Sequence, residues 1–189
     1  MTEQIHQAIY YAGKRHAGQV RKGTSVPYLV HPMEVMGILI ENNCSEDVVV
    51  AGILHDVIED TCDDNDIIRD IVRAEIQNKF GEHVLSIVNS ESEDKSKTWK
   101  ERKQHTIDAL ADDSFEVQAV CCADKLSNIM SIYADVQSSG EKVWGRFNAP
   151  KESLHWYYQS VYEHLTKIDE TKYPMKRQLG EFVAKVFAK

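Results

Sequence analysis

Proline is scarce in this chain: Pro27, Pro32, Pro150 and Pro174 are the only four in 189 residues. They punctuate the sequence rather than interrupt it, which leaves room for long helices. No eighteen apolar residues run together, which argues against a membrane-spanning helix. The start, MTEQIHQAIYYAGKRH, has no basic stretch followed by an apolar run and a cleavage site, so a cytoplasmic protein is expected. Positive charge is in deficit, with 22 Lys and Arg against 30 Asp and Glu and a net charge of −8. A duplex-binding protein would carry a basic face to neutralise phosphates, so no nucleic-acid partner is expected. The four cysteines (Cys44, Cys62, Cys121, Cys122) form no CxxC spacing and read as reduced, mostly buried thiols rather than metal ligands. There is no internal repeat, no low-complexity tract and no clear strand pattern.

What is present is an ordinary soluble composition, 42% apolar and 28% charged. A chain of this length hides roughly 70% of its unfolded surface, enough for a self-sufficient core. The expectation is one domain over residues 1–189, with a motif-bearing core over about 5–168 and a last helix over about 175–188. Ile5, Ala8, Ile9 and Ala12 mark one face of a first helix ending near Gly18. A polar loop, Gln19 to Tyr28, follows. Pro32 reads as the first residue of a second helix, where its missing N–H costs nothing, and His31 then stands at the helix mouth. Asp47 to Glu59 contains VVVAGIL, apolar all round, and reads as a central buried helix. Helices are further expected on either side of Gly81, from Trp99 to about Asp112, from Ser114 toward Ile132, and in two C-terminal stretches. The whole reads as all-α, with about eight helices.

Charge is unevenly distributed. Acidic residues crowd between Glu41 and Lys79, while Lys14, Arg15, Arg21 and Lys22 form a basic island. An acidic centre beside a basic rim suits a cation together with an anionic ligand. The segment HDVIEDT, His55 to Thr61, closes the apolar third helix with four ionisable groups, a poor ending for a core helix. On a continuous helix His55 and Asp56 diverge by about 100° and both reach a cation in the wedge between them. Glu59 and Asp60, each at i+4 from one of that pair, lie just beyond the ion. Asp124 shares a stripe with Val117, Val120, Cys121 and Asn128, so a carboxylate occupies a buried slot and needs a cation or strong donors. With His31, a His, His, Asp, Asp set emerges. Mixed nitrogen and oxygen donors suit Mn²⁺, Fe²⁺ or Zn²⁺, and two carboxylates with imidazoles lean toward one Mn²⁺.

HDVIEDT resembles the signature of HD-domain phosphohydrolases, in particular the hydrolase domain of RelA/SpoT-type proteins and the small alarmone hydrolases. The resemblance extends through HAGQVRKGTSVPYLVHP (His16 to Pro32), AGILHDVIEDT (Ala51 to Thr61), FGEHV (Phe80 to Val84), WKERK (Trp99 to Lys103) and ADKLSN (Ala123 to Asn128). It implies that His31, His55, Asp56 and Asp124 hold one Mn²⁺ and that Glu59 and Asp60 handle the water. It sets Arg21 and Lys22 beside the purine and sugar, and Asn128 at the ribose or a phosphate. The implied reaction is hydrolysis of the 3′-diphosphate of ppGpp to GDP and pyrophosphate. No synthetase or regulatory domain follows, so a stand-alone hydrolase is expected. Trp99 stands where some relatives place a basic residue.

Two other readings stay open: the same fold and metal acting on another nucleotide such as NADPH at its 2′-phosphate, and a sensor that binds alarmone without cleaving it. The aromatics Trp144, Phe147, Trp156, Tyr157 and Tyr158 read as core, with Tyr157 also a candidate for the nucleotide pocket because bases stack on aromatic faces. His16 reads as a packing residue. Ser90 to Lys97 reads as a solvated loop, with a lid over the phosphates as the functional option.

Overall fold

The computed structural model describes residues 1–62, 65–90 and 97–188. The proposed lid falls almost wholly on 91–96, outside the described residues. By compactness the chain divides into two units, Met1–Glu93 and Asp94–Lys189. Among the described residues there are ten α-helices, one 3₁₀ segment and no strand, only an isolated bridge between Val20 and Pro27. The all-α expectation holds.

In the first unit, α1 is Glu3–Arg15, α2 Val30–Glu41, α3 Glu46–Leu54, α4 Val57–Thr61, α5 Asp66–Phe80 and α6 Glu82–Ser90. Helix α3 is the hub, packed against α1, α2 and α6, and every residue from Val48 to Leu54 is buried. This is what an all-round apolar helix must do: each Val, Ile or Leu taken from water contributes on the order of 1.5–3 kcal/mol. The amphipathic helices around it turn one stripe inward, as α1 does with Ile5, Ala8 and Ala12. Thr2 caps α1 and Asn65 caps α5 by accepting N–H bonds from Ile5 and Ile68, each such cap contributing about 1 kcal/mol. Gly81 separates α5 from α6 at φ +94°, a conformation that favours glycine.

In the second unit, α7 is Trp99–Leu110, α8 Phe115–Ser139, α9 Lys151–His164 and α10 Pro174–Phe187, with the 3₁₀ segment at Gly140–Arg146. Helix α8 is the centre and packs against α9, α10 and the 3₁₀ segment, while α7 packs against α9. A reciprocal capping box between Thr98 and Glu101 starts α7.

Two expectations are corrected. Helix α2 starts at Val30, so Pro32 lies inside the first turn rather than at its first residue. The first four N–H groups of a helix have no intrahelical partner, so proline is equally harmless there. The segment from Asp47 to Glu59 is not one helix: α3 ends at Leu54, and α4 begins at Val57. The cause is local. His55 Nδ1 lies 2.8 Å from the Gly52 carbonyl oxygen, the acceptor that a continuous helix would offer to the Asp56 N–H. Asp56 sits at φ −89°, ψ −7°, in the sparsely populated bridge region.

Gly52 is therefore a structural requirement. A Cβ there would stand 2.4 Å from Leu39 Cδ1 and 3.1 Å from Val35 Cγ1 on α2, both fully buried residues. Gly52→Ala is expected to lower the unfolding free energy by about 1–3 kcal/mol through overpacking. Urea denaturation checks this, and an unchanged midpoint would show that α2 and α3 have slack at this crossing.

Candidate functional site

The first turn of α2 and the break between α3 and α4 bring three side chains together. His31 is buried at 1% exposure, and its backbone N–H donates to the Tyr28 carbonyl at 3.0 Å. His55, 4% exposed, is fixed by the Gly52 carbonyl. A carbonyl oxygen only accepts, so Nδ1 of His55 carries a proton and Nε2 is the ring atom left to act as a ligand. That Nε2 lies 3.0 Å from Asp56 Oδ2 and 3.3 Å from His31 Nε2, and His31 Nε2 is 3.5 Å from the same oxygen. The three donor atoms lie within 4.8 Å of one another. Two imidazole nitrogens and a carboxylate oxygen this close are stabilised by positive charge between them, a proton or a metal ion. Two imidazole nitrogens and a hard oxygen are the ligand chemistry of a borderline divalent ion, so the residues fit one.

A second ring of groups holds the first. The Tyr28 hydroxyl donates to Asp56 Oδ2 at 2.5 Å. Burial, then the negative charges of Asp56 and Asp60, push the phenol far above the ordinary tyrosine range, so it serves only as a donor. One face of Tyr28 stacks on His16, with centroids 4.7 Å apart and planes at 22°. The Arg21 guanidinium lies 5.7 Å from the Tyr28 centroid. His16 Nδ1 is 2.8 Å from Gln19 Oε1, and Gln19 Nε2 donates to the Asp60 carbonyl at 2.7 Å. The loop from Gln19 to Tyr28 is thus fastened to α4. His16 does pack, as expected, and it also carries Gln19.

Glu59 and Asp60 lie on α4, half-buried. The Asp60 N–H donates to the Asp56 carbonyl at 2.9 Å, so the one-turn relation between those two survives the helix break. Arg21 is half-buried and Lys22 exposed, in a loop where Gly23 takes φ +74°.

In the second unit, Asp124 is 5% exposed on α8, as its stripe requires. Its Oδ2 pairs with the Lys125 ammonium, and its Oδ1 accepts from Asn128 Nδ2 at 2.5 Å. The buried carboxylate is matched within its own helix, and Asn128 orients it. Tyr157 is 4% exposed, with the ammonium groups of Lys103 and Lys125 at 4.9 and 5.8 Å from its ring centroid. Sequence reasoning assigned no role to Tyr28, Gln19, Lys103 or Lys125. A signal existed for all four, since Gln19 and Tyr28 stand inside HAGQVRKGTSVPYLVHP, Lys103 inside WKERK and Lys125 inside ADKLSN.

Tyr28→Phe removes the donor that orients Asp56. Divalent-ion affinity, followed by calorimetric titration with Mn²⁺, is expected to fall about 10- to 100-fold, the usual cost of losing such an outer partner. Equal affinity in the variant would separate Tyr28 from ion binding.

Comparison with known proteins follows the same residues. The family model described as HD domain matches residues 8–152. The GTP pyrophosphokinase of Myxococcus xanthus is 42% identical over 85 residues, 45% of this chain and 10% of that protein. The guanosine-3′,5′-bis(diphosphate) 3′-pyrophosphohydrolase MESH1 of Homo sapiens is 32% identical over 161 residues, 84% of this chain and 83% of that protein. Among solved structures, a metazoan ortholog of SpoT that hydrolyses ppGpp superposes with a TM-score of 0.78 at 25% identity, covering 100% of this chain and 98% of that one. This chain thus spans a small part of the long Myxococcus protein and most of the short human one. The chain belongs to the HD-domain family.

Proposed function

We propose that this chain is a cytoplasmic phosphohydrolase that cleaves the 3′-diphosphate of ppGpp, giving GDP and pyrophosphate, and that one hydrolase domain runs through both units. The observation that carries the reading is the convergence of His31, His55 and Asp56, with Tyr28 and Asp60 packed behind. The human relative, similar over most of both chains, is named for this reaction. His31, His55 and Asp56 would hold one Mn²⁺, with Asp124 as the proposed fourth ligand. When bound, the divalent ion supplies Lewis acidity toward the phosphoryl oxygens.

The remaining work falls to side chains of this protein. Water attacks the phosphorus joined to the 3′-oxygen; a new O–P bond forms as the P–O3′ bond breaks. Glu59 or Asp60 accepts the proton of the attacking water and returns it to the departing 3′-oxygen. Tyr28 remains protonated and holds Asp56 in place without competing for that proton. Arg21 and Lys22 supply positive charge to the phosphates, and Asn128 and Tyr157 complete the contacts to the nucleotide.

Glu59→Gln and Asp60→Asn are each expected to lower kcat about 10²- to 10⁴-fold, the usual reach of general acid–base catalysis, with metal content unchanged. His55→Ala is expected to lose the metal itself. Anion-exchange chromatography of ppGpp incubated with Mn²⁺-loaded protein reads the products, with Asp56→Ala as blank. GDP with pyrophosphate supports the assignment. Orthophosphate instead of pyrophosphate, or full turnover in both carboxylate variants, overturns the mechanism.

A further inference from the structure

Helix α5 is amphipathic, but its outward face is not wholly polar. Val72, Ile76 and Phe80 turn inward, and the helix packs on α4 and α6 of its own unit. On the other side Ile67, Ile68 and Ile71 are exposed at 74%, 37% and 53%, and Ile67 is the most exposed large apolar side chain among the described residues. Ile67 and Ile71 stand one turn apart, with Ile68 three residues before Ile71, so the three form one patch. A single exposed isoleucine needs no explanation, whereas a contiguous group marks a contact surface. Alongside the patch runs a stripe of alternating charge, Asp66, Arg69, Asp70 and Arg73, at the i, i+3, i+4, i+7 spacing of one flank. Within the chain Arg69 pairs with Asp66 at 2.8 Å and Arg73 with Asp70 at 3.1 Å, and Arg73 also donates to Asn89 of α6 at 3.2 Å. The two carboxylates remain open to solvent, with side chains 90% and 78% exposed.

The order of residues decides the occupant. Asp66 to Arg73 reads DIIRDIVR. Laid antiparallel on a second copy, Asp66 faces Arg73, Ile67 faces Val72, Ile68 faces Ile71 and Arg69 faces Asp70. Every acid then meets a base and every aliphatic position an aliphatic one. Val72 is itself buried, so the apolar seam is made by the three isoleucines. A two-fold axis across the helices keeps each flank beside its own copy, so the charged stripe meets itself in this register. In parallel register each charge would face its like. A stripe of one sign would suit an oppositely charged partner, whereas two acids and two bases in this order are complementary to themselves. We infer that α5 is a self-association face: two copies of this chain pair antiparallel through Ile67, Ile68 and Ile71, with Asp66 and Asp70 of each copy set against Arg73 and Arg69 of the other. The apolar seam supplies the attraction, and the charges fix direction and register. One helix from each copy buries less than the roughly 800 Å² per partner of a standard interface, so the dimer is weak, with a Kd expected at about 10–100 µM. The inference is independent of the phosphohydrolase reading, because no substrate enters it.

Sedimentation equilibrium of the full chain tests this from about 1 µM to about 1 mM, a range that brackets such a Kd. The weight-average mass is expected to rise from that of one chain toward that of two and to stop there. Ile67→Lys combined with Ile71→Lys should weaken association about tenfold or more. Asp66→Lys combined with Asp70→Lys makes the stripe wholly basic and should weaken it about as much, though the apolar seam is untouched. Adding Arg69→Glu and Arg73→Glu to that basic chain exchanges the signs of the stripe, and the dimer should return. The isoleucine and aspartate pairs sit at exposed positions where folding is not at stake, so they decide the question even where the sign-exchanged chain fails to fold. A parent chain that stays monomeric throughout the range overturns the inference, as does a dimer that survives either pair of lysine substitutions. A sign-exchanged chain that folds by circular dichroism yet stays monomeric overturns the antiparallel register, and assembly beyond two chains overturns the two-fold pairing. Isoleucine-dependent binding of the monomer to phosphatidylcholine vesicles, without dimerisation, overturns it in favour of a lipid surface.

Discussion

One hydrogen bond, from His55 Nδ1 to the Gly52 carbonyl, organises the centre of the first unit. It ends α3, keeps a proton on Nδ1 and aims Nε2 at Asp56 and His31. It depends on a glycine, because α2 crosses α3 so closely that Leu39 and Val35 fill the space a Cβ would need. Packing and chemistry are thus set at the same residue. The close crossing brings the mouth of α2 to the end of α3, and so delivers His31 to His55.

The two carboxylates proposed as ligands are stabilised by different means. Asp56 accepts from a buried phenol that stays protonated, a neutral donor that leaves its negative charge in place. Asp124, more deeply buried, has a lysine ammonium on one oxygen and a carboxamide on the other. An unpaired buried carboxylate would cost several kcal/mol, so each needed a partner, and both found one within a few residues or one adjacent loop. The neutral donor suits a carboxylate that must attract a cation. The ammonium suits one that must be held charged and oriented.

Much of this was legible in the sequence. The apolar run from Val48 to Leu54 announces a buried helix, and burial is complete there. His31 and His55 belong to spaced motifs, and their side chains meet in the structure. The break at His55 was hidden, because helical periodicity carries no sign of a side chain competing for a backbone carbonyl three residues back. Tyr28 stood inside a legible motif, but its task did not show there, because only the fastening of the loop to α4 reveals that its hydroxyl meets Asp56. The stripe containing Asp124 called for a compensating cation, yet the nearest one, Lys125, lies next in sequence, where helix geometry ordinarily turns the side chain away.

The arrangement around Asp56 also explains why the helix break is worth its cost in backbone hydrogen bonding. A continuous helix would spend the Gly52 carbonyl on the Asp56 N–H and leave the His55 ring free to take either tautomer. With the carbonyl given to the ring, Nδ1 carries a proton and Nε2 stands 3.0 Å from a carboxylate oxygen. That oxygen also accepts from Tyr28. The nitrogen and the oxygen are held face to face by packing, each with its conformation fixed by a separate partner. Such a contact is favourable only with positive charge between the two atoms, supplied by a proton or by a metal ion. The same residues that end the helix therefore create the demand for positive charge on which the chemistry of the centre depends.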